Sequence, residues 1–214
     1  MTRRHRRTYY AALVGLCYSF IASASTGQNW AFSVLLDGDK VGEHRFELTS
    51  VDRGQRRLTS HAEFKVKFLF INAYSYLHRA TETWQAGCLE SLTANTDDNG
   101  DKAAVDGRRR GNRFVVNSSE GQQELPDCVM SFAYWNPQIL DQELLLNAQT
   151  GEYLPIDVSE PKAETFTTDR LTVAAHRYEL TAGPLQLTLW YSADGQWLGL
   201  ESDRNGKILR YEPL

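Results

Sequence analysis

Several things are scarce in this chain, and each scarcity removes a class of function. Lys and Arg number 23 against 27 Asp and Glu, so there is no basic excess of the kind that phosphate backbones or anionic headgroups attract. Nucleic acid is therefore not an expected partner. Helical periodicity is nearly missing, and the longest apolar run, Tyr9 to Ile21, is about 13 residues where a bilayer-spanning helix needs roughly 20. There is no G-x-S-x-G elbow, no H-E-x-x-H, no glycine-rich phosphate loop and no cysteine beside an activating group. These absences leave no catalytic residue to nominate and call for no cofactor. An enzyme is the less favoured reading, although two carboxylates distant in sequence can still meet across a sheet.

The one apolar run has a specific context. Arg3, Arg4, Arg6 and Arg7 precede it and the small residues Ala22 and Ala24 follow it, the layout of a secretory signal. Residues 1–24 read as a signal peptide cleaved after Ala24, and 25–214 as one exported all-β domain, periplasmic in location and without a transmembrane segment. Cys17 lies inside the run behind Leu16, where lipid attachment would need a small residue, so it leaves with the signal. The paired arginines fit a twin-arginine motif poorly, which favours ordinary unfolded export. Removing four arginines lowers the basic count from 23 to 19 against 27 acids, moving the formal charge from -4 to -8.

Three cysteines thereby become two, Cys88 and Cys128, in a compartment that permits oxidation. They are expected to pair as a disulfide. Neither has the neighbours that a reactive thiol or a metal-bound thiolate requires.

What the sequence has in quantity is alternation. In HAEFKVKF, Ala62, Phe64, Val66 and Phe68 share one face, while Glu63, Lys65 and Lys67 share the other. Similar stretches occupy 29–36, 41–50, 74–85, 88–96, 113–118, 171–180, 185–192, 196–202 and 207–211. Between them stand Asp37-Gly38, Arg53-Gly54, Asn99-Gly100, Asp106-Gly107, Asp194-Gly195 and Asn205-Gly206, dipeptides suited to primed hairpin turns. The pattern predicts an all-β fold: a strongly curved antiparallel meander, a half-barrel or open barrel. One segment, Met130 to Glu152, breaks the rhythm. Its Asn136-Pro137 predicts a short helix over 137–142, then a strand at 143–147 and a hairpin at Gln149 to Gly151. A short helical or irregular lid near 130–142 is expected to lie across the open side of the sheet. Arg108, Arg109 and Arg110 read as a solvated turn.

Four groups of residues are site candidates. Phe64, Phe68, Phe70, Tyr74 and Tyr76, with Leu69 and Ile71, make both alternating faces apolar. Phe132, Tyr134 and Trp135 extend the set. Either they form a packed core under the lid, or the concave face holds an acyl chain or an apolar peptide. His44, His61 and His78 recur at a constant spacing, which three imidazoles binding a transition metal would tolerate, but His61 falls in the polar phase. Separate structural histidines are the reading. HRFELT at 44–49 and HRYELT at 176–181 place His44 and His176 in the apolar phase. TDDNGDK carries Asp97, Asn99 and Asp101 at calcium-loop spacing, but Arg108 stands where a bidentate glutamate belongs, leaving a plain hairpin.

WAFSVLLDGDKVGEHRFEL, FKVKFLFINAYSYLHRATETW, CVMSFAYWNPQIL with LLLNAQTGE, and LWYSADGQWLGLESDRNGKILRYEP together span nearly all of residues 30–213. In these stretches the chain resembles exported bacterial proteins of the domain-of-unknown-function family 6134, similar in turn to family 3108. The resemblance implies a periplasmic protein with a curved antiparallel sheet and no established activity. The function expected is non-catalytic binding of a hydrophobic ligand or lipid, with an envelope assembly factor that recruits a protein partner as the alternative. A hydrolase without an identifiable signature is a third.

Overall fold

Alternation becomes strand after strand because each polar–apolar period buries one face and wets the other. The computed structural model describes residues 27–68, 71–204 and 206–214. Residues 1–26, on which the expected signal peptide 1–24 falls, and Leu69, Phe70 and Asn205 lie outside the described residues. The strands are β1 (Gln28–Leu36), β2 (Asp39–Ser50), β3 (Arg56–Phe68), β4 (Ile71–Gln85), β5 (Cys88–Asp98), β6 (Asp101–Arg110), β7 (Arg113–Ser118) and β8 (Gly121–Leu125). After an irregular stretch come β9 (Leu144–Leu146), β10 (Tyr153–Pro155), β11 (Asp157–Val158), β12 (Lys162–Thr167), β13 (Thr172–Ala182), β14 (Leu185–Ser192), β15 (Trp197–Arg204) and β16 (Lys207–Pro213). All but β9 and β10 join one antiparallel meander sheet, with β1 paired to β16 in its middle. The sheet does not close: β8 forms one edge, and β11 with β12 the other.

Two turn signals show both the power and the limit of the sequence pattern. Asn99 and Gly100 have φ values of 54° and 102°, the positive pair that a type I′ hairpin needs. The Asp97 carboxylate accepts from the Gly100 N–H at 2.8 Å, so the calcium-like spacing serves the turn. Asp106-Gly107, by contrast, is not a turn. β6 runs straight through it, and Arg108, Arg109 and Arg110 are strand residues, not a loop. The reason is steric: a Cβ on Gly107 would meet the Phe114 ring at 2.6 Å, so the glycine makes room for a buried aromatic. Arg109 pairs with Glu90 at 3.1 Å and Asp127 at 3.2 Å. The short strands β10, β11 and β12 also escaped the alternation pattern, being too brief or too exposed to show a period.

The segment between β8 and β11 returns the chain from one sheet edge to the other by entering the concavity. Val129, Ile139, Leu145 and Leu146 are fully buried there. The expected short helix is a 3-10 turn, Pro137–Asp141, capped by the Asn136 side chain, which accepts from the Gln138 N–H. Backbone bonds from Leu89 N–H to the Val129 carbonyl and from Leu146 N–H to the Met130 carbonyl seat this plug. Cys88 and Cys128 are disulfide-bonded, tying the start of β5 to the plug. Trp84 meets Trp135 edge-on at 5.5 Å, and Tyr134 lies on Trp197 at 5.3 Å.

Candidate functional site

Strand register sorts the concave face into rows. One row reads Tyr178, Leu189, Leu200, Tyr211, Val34, Gly42, Phe64 and Tyr76 across β13, β14, β15, β16, β1, β2, β3 and β4. Gly42 permits the tight curvature of that row, since a Cβ there would lie 2.0 Å from the Glu63 carbonyl oxygen. The next row is Phe32, His44, Ala62, His78 and Thr96, followed by Trp30, Phe46, Ser60, Ala80 and Ala94. Then come Leu48, Leu58, Glu82 and Leu92.

The plug reaches the Glu82 and Trp84 level, not the Tyr76 level. Arg56, opposite Trp84, and Phe64, opposite Tyr76, are eight residues apart on β3, roughly 26 Å at strand spacing. The concavity therefore has a plugged end and an open end. At the plugged end Leu48, Leu58, Trp84, Leu92 and Trp135 are all buried. At the open end Val66, Tyr74, Tyr76 and Leu209 remain half-buried although they face the same concave side, while Val34, Leu187, Leu189 and Leu200 in the same rows are buried. Tyr178 packs on Tyr191, which bonds the plug's Tyr134 carbonyl.

The predicted apolar strip is thus divided. Phe64, buried and stacked on Tyr76 at 5.1 Å, belongs with Tyr74 to the open end. Phe132, Tyr134 and Trp135 belong to the plug. The Phe68 side chain and Phe70 lie outside the described residues. Trp135 is 7% exposed, which leaves little of it for an incoming partner to touch.

Histidines line the floor between the two ends. His44 and His78 sit in one row with the small Ala62 between them, while His61 is on the outer face, as its phase required. His176 keeps the concave phase yet is exposed. His44 Nε2 is 2.7 Å from Ser60 Oγ, and its Nδ1 is 3.1 Å from Tyr211 Oη. His78 Nδ1 is 2.9 Å from Thr96 Oγ1. Burial, with His78 and His61 adding repulsion, holds His44 well below the usual imidazole range, and burial lowers His78 to about 4. Both rings are neutral at pH 7.

Three residues that sequence reasoning passed over matter here. Glu82 is buried, accepts from Trp84 Nε1 and Ser131 Oγ at 2.9 Å each, and is pushed up to about 7 by burial against those bonds. Its phase with His78, Ala80 and Trp84 was the available signal: a carboxyl on the apolar side of a strand. Arg56 places its guanidinium 4.5 Å from the Trp135 ring centre. Ser202, on the open-end side of β15, buries its hydroxyl without a hydrogen-bond partner among the described residues.

The Ser60–His44–Tyr211 chain has the outline of a nucleophile, a base and an orienting group, but its electrostatics run the wrong way. A general base must become cationic in the transition state, and here desolvation and His78 oppose the imidazolium while no carboxylate among the described residues supports it. Glu82 lies in another row and is engaged with the plug. The chain satisfies buried polar atoms and fixes the floor.

The chain belongs to the family described as Domain of unknown function (DUF6134), whose model matches residues 32–214. Among solved structures it is similar to the crystal structure of a beta-barrel-like protein of Domain of Unknown Function DUF1849 from Brucella abortus. The two share 10% identity at a TM-score of 0.63, over 87% of this chain and 94% of that one, a likeness in fold alone. No curated protein matches the chain.

Proposed function

We propose that this protein is a non-catalytic, periplasmic binding protein that takes a hydrophobic ligand, an acyl chain or similar lipid segment, into the open end of its concavity. One observation carries the reading. Leu48, Leu58, Trp84 and Leu92 are buried where the plug sits, whereas at the far end of β3 and β4 Val66, Tyr74 and Tyr76 stay half-exposed next to buried Phe64. Apolar surface left uncovered on the inside of a curved sheet has a driving force of roughly 25 cal/mol per Å² to acquire a cover. Neutral histidines and tyrosine hydroxyls on the floor suit an uncharged ligand body better than a charged one.

Export is supported by the basic, apolar and small-residue order of residues 1–24 and by the Cys88–Cys128 bond, which fits an oxidising compartment. The neutral apolar probe N-phenyl-1-naphthylamine tests the proposal. It should bind saturably, be displaced by dodecanol, and lose about tenfold in affinity, or 1.4 kcal/mol, in Tyr76→Ala. Absence of saturable binding, or binding indifferent to Tyr76, overturns it.

A further inference from the structure

The plugged end carries a second feature, independent of the apolar mouth. A cavity of about 300 Å³ opens between the start of β1 and the β2–β3 connection, lined by Gln28, Leu48, Thr49, Ser50 and Arg56. Among the described residues no carboxylate lines it. Arg56 makes no ion pair and no hydrogen bond among the described residues, although neighbouring arginines on the sheet do: Arg45 with Glu43 and Arg109 with Glu90. Its guanidinium lies 4.5 Å from the centre of the Trp135 ring, which is itself buried, meets Trp84 edge-on, and has no hydrogen-bond partner at Nε1 among the described residues. A cation fixed by stacking has lost most of its rotamer freedom before any ligand arrives, and its donor fork matches the two oxygens of a carboxylate or phosphate. Partial burial already lowers its affinity for the proton, as desolvation of an uncompensated charge should. The Gln28 amide and the Ser50 hydroxyl add neutral donors on the same wall, and Leu48 provides an apolar floor.

We infer that this cavity is an oxyanion-binding site in which Arg56, clamped on Trp135, grips a carboxylate or phosphate group. The arrangement follows the physics of anion recognition generally: a pre-organised bidentate cation with no competing carboxylate among the described residues, at a partly dry wall where the pair is less screened than on open surface. The site lies at the opposite end of β3 from Phe64 and Tyr76, so its occupancy and that of the apolar mouth are read separately.

The test follows the Trp135 indole N–H signal by two-dimensional NMR, assigned by its loss in Trp135→Phe, while inorganic phosphate or sodium octanoate is added to the purified protein. A saturable shift with both anions marks a general oxyanion site; with octanoate alone, a carboxylate whose tail uses Leu48; with phosphate alone, a phosphate group. In each case Arg56→Gln must abolish the shift and Arg56→Lys must weaken binding by about tenfold, because lysine is a point charge without the fork. Should Arg56→Gln unfold, Ser50→Glu provides the second variant: an exposed position where a new carboxylate occupies Arg56 from within and blocks both anions. No saturable shift with either anion, or a shift that survives Arg56→Gln or Ser50→Glu, overturns the assignment.

Discussion

The two ends of the concavity are built from the same kind of residue on the same face of the same sheet, yet they are in different physical states. At the plugged end the chain folds its own apolar segment into the curve, and a disulfide, paired tryptophans and a buried carboxyl hold it there. At the open end nothing among the described residues takes that place, and tyrosines stay half-wet. The contrast teaches that amphipathic alternation sets which way a side chain points, whereas cover decides whether that face is a core or a binding surface.

If the comparison holds, perturbations at the plugged end should cost stability, and those at the open end should cost binding. The largest effect is expected from removing the disulfide. Serine at both Cys88 and Cys128 frees a loop of sequence separation 40 and should lower unfolding free energy by about 4 kcal/mol in urea titrations. Next is truncation of the plug: Ile139→Ala, fully buried, should cost about 3 kcal/mol by the same measurement.

Glu82 gives the plugged end a pH signature. Its carboxyl is held protonated up to about 7 in the folded state, against 4.5 ordinarily. The unfolded chain releases that proton first, so the contribution is fully present below pH 4.5 and is lost as pH rises through 7. Glu82's own contribution should fall by roughly 3 kcal/mol across that window, opposed by His44 and His78, whose lowered proton affinity adds stability as pH rises. The readout is therefore the difference between wild type and Glu82→Gln, which should shrink by that amount from pH 4.5 to 7. A slope unchanged in the glutamine variant would remove Glu82 from the account.

The smallest stability effect belongs to the open end. Tyr74→Ala should change unfolding free energy by under about 1 kcal/mol, because the ring is half-buried, while weakening the apolar probe. If Tyr74→Ala destabilised the protein as much as Ile139→Ala, the two ends would not differ in kind.

How much of this was legible beforehand follows from what each feature depends on. The meander was readable because period-two alternation and Asn99-Gly100 are local signals, and the disulfide because only two cysteines, Cys88 and Cys128, follow the expected signal peptide. The lid could be located through Asn136-Pro137, but not its seat inside one end of the curve, which depends on where Val129 and Leu146 find partners far along the chain. Register was equally hidden: His44 and His78 become neighbours only because Ala62 stands between them on β3, and Ser60 and Tyr211 join them from strands remote in sequence. The aromatic strip failed to resolve for the same reason. Composition groups Trp135 with Tyr76, whereas pairing places them at opposite ends. Gly107 misled because a glycine that yields space to Phe114 looks, in sequence, like a glycine that turns the chain.

The most direct test of the open end is photolabelling. The purified protein would be irradiated with a diazirine-bearing long-chain alcohol and the adducts mapped by mass spectrometry, with dodecanol as competitor. Competable adducts on Phe64, Val66, Tyr74 and Tyr76 are the predicted result. Adducts confined to the plug around Phe132 to Trp135, or labelling that dodecanol does not suppress, would contradict it.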